Sequence, residues 1–434
     1  MPPGLQEHCN CDTRRVGTAR DRLADVVDEH GAGDGADEGE GSSSGAEEHG
    51  AGEDLTGEDD DEGDEPEVDD GPPEEVTRDL FLVWRSPRIG LRNPQRMTNP
   101  VWTWLARQRE LSAWSANEKF SGPSSMAVGP GWCGSRFGRS ETPLADGRVI
   151  EIGGEHEDYY DPDFYIYNDV IVRHPAGELE IYGYPHEAFP PTDHHSATLV
   201  GERILVIGCL GYTWMREPGY TPVFALDTRT LGMTRVPTTG DAPGWLYEHT
   251  AEPTADGAAI VVRGGTRVVL REGVREHVEN IDEWSLELAS GVWTRLTDRR
   301  WPQWELARAD GKSNQLFWIE SALFYSERPS DHGREQLTEL EQRLGGPPDF
   351  ALYAARHAPP VGHTRLPEQD DELGVTRISV DGVTIRYREE MSSVHVMIEG
   401  ELPIEVAEAI VEDARRKLEA LERQPYVARR LPGV

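Results

Sequence analysis

The segments His195-Ser196-Ala197-Thr198 and Ile204-Leu205-Val206-Ile207-Gly208 decide the fold, because together they form one of three copies of the same pattern. In each copy a short polar element precedes a turn that contains glycine, and an apolar run then ends in glycine. The apolar run ends at Gly153-Gly154 in the preceding copy and at Gly264-Gly265 in the following copy. The anchor glycines Gly153, Gly208 and Gly264 are therefore 55 and 56 residues apart. A repeat of about this length is typical of propellers, solenoids and arrays.

Each copy is predicted to contain four short strands. A loop follows the anchor glycine, and two further apolar segments complete the copy, with a turn between them. These segments are residues 165–170 and 179–182 in the first copy, 223–227 and 233–236 in the second, and 281–286 and 292–296 in the third. Four strands joined by short turns are typical of one propeller blade, so the sequence predicts a mainly β fold built from blades.

This order of polar lead, Asp-Gly turn, apolar run, double glycine and later aromatic residue resembles the kelch repeat of β-propellers over residues 135–300. The copies depart from the kelch pattern at Gly208-Cys209, which lacks the second glycine, and only the third copy has the late tryptophan, Trp293. The resemblance implies structural roles for the anchor glycines and for two equivalent histidines, which would hydrogen-bond the neighbouring blade's backbone. These residues are Gly153, Gly154, Gly208, Gly264, Gly265, His195 and His249.

The number of blades distinguishes this chain from the family that it resembles. Kelch propellers usually close with six or seven blades, whereas three copies are clear here, so we expect a small or incomplete kelch-like β-propeller. Two aromatic-rich segments within residues 312–325 predict a fourth unit, and the apolar run at residues 80–84 predicts a strand that pairs with it. If the propeller is open, its unpaired edges favour a homo-oligomer.

Composition and patterning divide the chain into five parts. Residues 1–75 are an acidic tail that is predicted to be disordered, and residues 76–134 contain an initial strand and Trp-rich helices. The kelch-like blades occupy residues 135–330. A helical segment and a linker follow at residues 331–372, and residues 373–434 form a small α+β domain in which a β-meander precedes a helix.

The charge of the chain excludes one class of partner. The net charge is −37, and residues 1–75 hold 26 acidic residues against four arginines. Such a chain repels phosphate, so we expect no nucleic-acid partner. The tail is interpreted as a solubilising segment; the alternatives are an electrostatic lure for a basic partner and a mimic of nucleic-acid charge.

The remaining composition indicates a cytoplasmic protein without a membrane anchor. No run of 18 apolar residues is present, and the first residues lack a basic segment followed by an apolar one. Four scattered cysteines do not form a disulfide framework, and Cys9 and Cys11 have only His8 beside them, too few ligands for zinc.

The sharpest local feature follows the first anchor glycine, where residues 155–164 contain five carboxylates, one histidine and three aromatic rings. No cofactor is predicted; a divalent metal is a candidate ligand, because carboxylate and imidazole groups at close spacing coordinate such ions. The candidate metal ligands are His156, Glu157, Asp158, Asp161 and His194. The alternatives are a protein-contact surface and an acidic loop without a ligand.

Aromatic residues on loops between strands predict a protein partner, because interface hot spots favour tryptophan and tyrosine. The candidate binding surface consists of Tyr159, Tyr160, Tyr212, Trp214, Trp245 and Tyr247. The sequence therefore predicts a protein-interaction or scaffolding module. The alternatives are a metal-dependent enzyme that acts on a small or carbohydrate substrate, and a structural subunit whose propeller closes on oligomerisation. No nucleophile elbow, phosphate loop or dinucleotide fingerprint is present.

Overall fold

Residues 71–156, 162–271, 273–327, 331–367 and 374–431 are described by the computed structural model of the chain. The chain is mainly β, with several antiparallel sheets and short helical segments. It divides into two units between Arg299 and Arg300. We call these the sheet unit and the C-terminal unit.

Short helices precede the repeats in the sheet unit. They are α1 (Arg78–Trp84), α2 (Pro100–Arg107), α3 (Ala113–Lys119) and α4 (Ser125–Val128). Helix α2 begins as its sequence predicts, with Pro100 in its first turn and the Asn99 side chain accepting a hydrogen bond from the backbone N–H of Trp102 at 2.7 Å. The strand predicted at residues 80–84 was wrong: this stretch lies in α1, because five apolar residues are too few to distinguish the two periodicities and Thr77 caps a helix there.

The first copy forms a five-stranded antiparallel sheet with the order β1-β7-β6-β3-β2, and a separate pair β4-β5. Its strands are β1 (Gln95–Arg96), β2 (Ser140–Pro143), β3 (Val149–Ile152), β4 (Glu155–His156), β5 (Tyr165–Ile166), β6 (Val170–Arg173) and β7 (Leu179–Gly183). One face packs against the helices, where Ile171 and Ile181 contact the cluster around Trp102. We call this the first repeat sheet.

The second copy forms a four-stranded antiparallel sheet with the order β11-β10-β9-β8. Its strands are β8 (Ser196–Val200), β9 (Arg203–Ile207), β10 (Val223–Asp227) and β11 (Met233–Arg235). Ile204 and Val206 pack against the first repeat sheet, whereas Leu205 and Ile207 pack against the third copy. Both faces of this second repeat sheet are therefore covered, which explains why its central strands are continuously apolar.

The third copy forms a five-stranded sheet with the order β12-β19-β18-β15-β14, beside a three-stranded sheet β13-β16-β17. The strands are β12 (Thr239–Gly240), β13 (Trp245–Tyr247), β14 (Thr250–Pro253), β15 (Ala259–Arg263), β16 (Thr266–Arg271), β17 (Val274–Glu279), β18 (Trp284–Glu287) and β19 (Val292–Arg295). We call the five-stranded sheet the third repeat sheet.

The outer face of the third repeat sheet carries mostly polar residues beside Val261 and Val292. Ile260 and Val262 of β15 are fully buried against the second repeat sheet, while the alternate residue Arg263 points away and forms ion pairs. Ser285 and Thr294 are opposite each other on the same outer face. Such a face gains little free energy from burial under another sheet. The described residues accordingly contain three repeat sheets and no fourth.

The C-terminal unit contains a six-stranded sheet with the order β21-β22-β23-β24-β20-β25. Its strands are β20 (Gln303–Arg308), β21 (Thr364–Arg365), β22 (Val375–Val380), β23 (Val383–Glu389), β24 (Ser393–Glu399) and β25 (Tyr426–Arg430). Its helices are α5 (Leu316–Glu327), α6 (Asp331–Leu344), α7 (Phe350–Ala354) and α8 (Ile404–Glu422). The predicted meander and final helix are present as β22–β24 and α8. None of the helices that the structure describes combines the length and the apolar character needed to cross a membrane.

The fourth repeat unit predicted within residues 312–325 was wrong, because this stretch forms helix α5 of the C-terminal unit. Leu316, Ile319 and Ala322 are buried at a spacing of three residues, which is a helical period. The predicted boundary at residue 330 also differs from the observed division after Arg299, since β20 pairs with β24 and β25 and thus belongs to the C-terminal sheet.

Candidate functional site at the junction of the repeats

Three equivalent segments directly precede strands β2, β8 and β14, and we call them the lead segments (residues 136–139, 192–195 and 246–249). Their third residues, Gly138, His194 and Glu248, all have positive φ, at 59°, 46° and 55°. The backbone N–H of His194 donates to the carbonyl of Gly138 at 2.7 Å, and that of Glu248 donates to the carbonyl of His194 at 2.9 Å. The lead segments of the three copies are therefore joined in series.

The anchor glycines bring each repeat sheet against the next lead segment. Gly153 and Gly208 have φ of +61° and +67°, and the N–H of the following residue donates to the carbonyl of Thr192 and of Leu246, at 2.9 and 3.0 Å. A Cβ at Gly153 or Gly208 would lie 2.1 or 2.2 Å from those carbonyl oxygens. Glycine is required there by both the dihedral angle and the space.

Two histidines of the lead segments join neighbouring repeat sheets through side chains. The Nε2 atom of His195 lies 2.8 Å from the hydroxyl of Ser140, and Nε2 of His249 lies 2.8 Å from the hydroxyl of Ser196. The predicted bonds to the neighbouring backbone are replaced by these hydroxyl contacts, because β2 and β8 each begin with a serine that faces the histidine. Burial lowers the pKa of both histidines to about 3, so they are neutral at pH 7.

We expect acidification to destabilise the sheet unit through these histidines. The pKa of His249 is about 3 in the folded chain and about 6.5 in an unfolded one, so the unfolded state binds more protons below pH 6.5. The stability contribution is complete above about pH 6.5 and decreases toward pH 3, by about 2 kcal/mol between pH 7 and pH 5. Urea unfolding at both pH values should show a decrease that is smaller by this amount in His249→Gln than in the wild type. An identical decrease in both proteins would contradict the assignment.

A carboxylate and histidine cluster lies where the lead segments meet. Ligand atoms of Glu155, Asp193 and His194 lie within 4.8 Å of one another. The Nε2 atom of His194 is 3.3 Å from a carboxylate oxygen of Glu155, and its Nδ1 atom is 3.5 Å from an oxygen of Glu248. Residues from all three copies therefore surround one imidazole.

The electrostatics of this cluster follow from burial and close negative charge. Burial lowers the pKa of His194, but the carboxylates of Glu155, Asp193 and Glu248 outweigh burial and raise it above its ordinary value. Burial raises the pKa of Asp193, and the positive charge of His194 opposes that rise. One oxygen of Asp193 accepts a hydrogen bond from the N–H of Gly211 at 2.6 Å, and the other has no hydrogen-bond partner within the described part of the chain.

The predicted metal ligands are only partly brought together. Glu157, Asp158 and Asp161 lie outside the described residues. His156 is buried apart from the cluster, with Nδ1 2.8 Å from the hydroxyl of Tyr167, and burial lowers its pKa to about 3. His194 lies in the cluster.

The predicted ligand set omitted Glu155, Asp193 and Glu248, although Asp193 adjoins His194 and Glu155 belongs to the acidic segment from which the ligands were chosen. Two signals identify them: Asp193 and His194 are adjacent in a lead segment, and Glu248 occupies the position equivalent to His194 one copy later. Glu155 follows the double glycine of the first copy and forms an antiparallel β-bridge with Phe137 of the first lead segment. Comparison of equivalent positions between the copies relates Glu248 to His194, whereas the position of Glu155 depends on the bridge to Phe137.

The predicted aromatic surface is divided between exposed and buried residues. Trp214 is 75% exposed and stacks on Tyr212, with ring centroids 6.1 Å apart and an interplanar angle of 8°. Trp245 and Tyr247 were expected on an exposed loop, but both lie in β13 of the three-stranded sheet and are buried there with Cys209 and Val268. Tyr159 and Tyr160 lie outside the described residues.

Neither a protein-family model nor a curated protein matches the chain. Among solved structures, the chain is similar to one described as the structure of YjhT, at 11% sequence identity and a TM-score of 0.24. The similarity covers 41% of this chain and 74% of the other. A TM-score of this size assigns neither a family nor a function to the chain.

Proposed function

We propose that the sheet unit is an open kelch-like propeller that serves as a protein-interaction module. Support comes from the repeated pattern at a spacing of 55 and 56 residues and from the equivalent hydrogen bonds that join successive repeat sheets. The polar outer face of the third repeat sheet favours an open arrangement in which this sheet is the last of the series. Terminal repeats of other repeat proteins also have polar outer faces.

The binding surface that we propose is the aromatic ridge, which consists of Phe164, Tyr212 and Trp214. The single observation that carries the proposal is the 75% exposed ring of Trp214, which is held in place by its stacking on Tyr212. Tyr212 is itself fixed, since its hydroxyl accepts a hydrogen bond from the N–H of Ile166 at 3.0 Å and its ring contacts Phe164 edge-to-face. A large aromatic surface ordered before binding loses little conformational entropy when a partner binds.

The backbone that carries the ridge is also fixed. The buried guanidinium of Arg216 donates to the carbonyls of Leu210 and Gly211 at 3.0 Å each. Arg275 of β17 donates to the carbonyl of Thr213 at 2.9 Å. The Arg216 bonds fix the loop before the 3₁₀ turn Thr213–Met215, and the Arg275 bond ties the turn to the three-stranded sheet. The ridge therefore has a rigid support.

The partner that we propose is a protein segment rich in lysine or arginine. The net charge of −37 attracts a basic partner at long range. At short range, the exposed faces of tryptophan and tyrosine bind cationic side chains favourably. Acidic charge and an aromatic ridge on one chain therefore select the same class of partner.

The test compares two exposed tryptophans. Affinity purification from native extract is carried out with the wild type, Trp214→Ala and Trp114→Ala. The wild type and Trp114→Ala are expected to recover the same basic protein, and Trp214→Ala at least tenfold less of it. Trp114 is the matched control, because it is 58% exposed and lies on α3. Equal recovery with all three proteins would contradict the ridge as the binding surface.

A further inference from the structure

We propose that Glu155, Asp193 and His194 bind one divalent first-row transition-metal ion at the junction of the three copies, with Glu248 orienting the imidazole. This site is independent of the aromatic ridge. It differs from the set predicted from sequence, since Glu155 and Asp193 replace the acidic residues of the following loop.

The first argument is the geometry of the donor atoms. Two ligand atoms that bind the same ion at about 2.0–2.2 Å are separated by at most about 4.4 Å. The donor atoms of Glu155, Asp193 and His194 all lie within 4.8 Å of one another, and His194 Nε2 is 3.3 Å from the oxygen of Glu155. In a tetrahedral site such atoms are about 3.5 Å apart, so side-chain rotations that move the donor atoms by about 1 Å place all three around one ion.

The second argument is an unused donor atom. Asp193 is fully buried, and its Oδ2 atom has no hydrogen-bond partner among the residues that the structure describes. Its other oxygen is held by the N–H of Gly211 at 2.6 Å, so the carboxylate cannot rotate freely to satisfy both oxygens. A buried carboxylate oxygen without a partner is costly, and a bound cation removes that cost.

The third argument is the support of the imidazole. When Nε2 of His194 faces the ion, its Nδ1 atom faces Glu248 at 3.5 Å. A carboxylate on the far side of a ligating histidine fixes the ring and increases its basicity in many metal sites. His194 also adopts a φ of 46° at the position where the first copy has glycine, and the resulting left-handed backbone is fixed by the hydrogen bonds to the neighbouring lead segments.

The donor set indicates the class of metal. Calcium and magnesium prefer oxygen ligands alone, whereas one imidazole nitrogen combined with carboxylate oxygens suits zinc, manganese and iron in their divalent forms. The carboxylates of Glu155, Asp193 and Glu248 surround a single histidine, and this excess of negative charge favours a dication over an empty site.

The test is a titration of the full chain with Zn²⁺, Mn²⁺ and Ca²⁺ after treatment with a chelator. Calorimetry is expected to show one saturable site for Zn²⁺ or Mn²⁺ and weaker binding of Ca²⁺. Asp193→Asn and Glu155→Gln should each weaken that site at least tenfold. Glu202→Gln is the matched control, because Glu202 also lies in an ion pair but is 62% exposed at the turn between β8 and β9.

All four proteins contain the same acidic tail, so differences between them report the cluster alone. Thermal melting shows whether each variant is folded. The isosteric Asp193→Asn retains an oxygen that accepts the hydrogen bond from Gly211. If the Asp193→Asn variant does not fold, the Glu155→Gln variant decides the result. Binding that is unsaturable, or equally tight in Asp193→Asn, Glu155→Gln and Glu202→Gln, would overturn the proposal. The aromatic ridge would stand in that case, since its test uses Trp214.

Discussion

Replacement of Asp169 by alanine is expected to lower the free energy of unfolding of the sheet unit by about 3–5 kcal/mol. The Asp169 carboxylate and the Arg136 guanidinium form two hydrogen bonds, at 2.5 and 3.1 Å, and their side chains are 7% and 2% exposed. Burial alone would lower the pKa of Arg136, but the Asp169 carboxylate raises it above its ordinary value. Without Asp169, a buried positive charge remains that has lost its counter-charge.

The same substitution removes a third hydrogen bond. The indole N–H of Trp132 donates to Asp169 at 2.9 Å, and the Arg136 guanidinium lies over the ring of Tyr167 at 3.4 Å. The pair thus links the start of the first copy to the loop between β5 and β6. We expect hydrogen exchange in peptides covering residues 130–170 to accelerate in Asp169→Ala.

Two controls separate this effect from a general response to charge removal. Glu202→Ala removes one partner of the exposed Glu202–Arg229 pair and should cost below about 1 kcal/mol. The double variant Arg136→Met with Asp169→Leu leaves no unpaired buried charge and should recover part of the loss. Urea unfolding measures all three variants; a loss of under about 1 kcal/mol in Asp169→Ala would show that the pair does not stabilise the fold.

The substitution Gly208→Ala is expected to cost several kcal/mol more than Gly264→Ala, although the two glycines are equivalent in the repeat. Both have positive φ, at 67° and 64°, so both variants share a left-handed penalty of about 1–2 kcal/mol. At Gly208 the new Cβ would lie 2.2 Å from the carbonyl oxygen of Leu246, whereas at Gly264 nothing lies within 4 Å. The backbone at Leu246 has to move or the sheets have to separate, and such clashes cost about 3 kcal/mol or more.

Gly264 is a control that the repeat itself provides, because the third repeat sheet has no following lead segment to approach. Thermal melting and urea unfolding of both variants measure the difference. Gly153→Ala is expected to behave like Gly208→Ala, since its Cβ would lie 2.1 Å from the carbonyl oxygen of Thr192. Equal losses in Gly208→Ala and Gly264→Ala would mean that dihedral strain alone determines the role of these glycines.

Errors in the sequence-based prediction of strands share one physical origin. Residues 80–84 and 316–325 are short, apolar and rich in aromatic residues, and such runs do not distinguish a buried strand from a buried helix. In the structure both are helices, and the choice is made by the Thr77 cap at α1 and by the packing of Leu316 and Ile319 in the C-terminal core. Where periodicity was clear, as in α8 and β22–β24, the predictions were confirmed.

The candidate site illustrates a different difficulty. His194 was predicted from the sequence as a metal ligand, but its neighbours Glu155 and Glu248 are far away in sequence. Their proximity depends on the bonds that join one lead segment to the next, and these bonds are made by backbone atoms. Side-chain identity gives no direct signal of such contacts. The burial of Trp245 was missed for the same reason, since it packs with Cys209 and Val268, which lie in other segments of the chain.

Local patterns were enough to predict the three copies, the positions of most of their strands and the anchor glycines, because these depend on periodicity and on dihedral angles that a single residue type permits. The tertiary structure alone decided that the repeat sheets end at a polar outer face after the third copy. It also decided that residues from all three copies surround His194. Stacked sheets and the backbone between them bring together residues that are far apart in sequence. Such contacts produce no periodic pattern among neighbouring residues, so they cannot be predicted from the sequence alone.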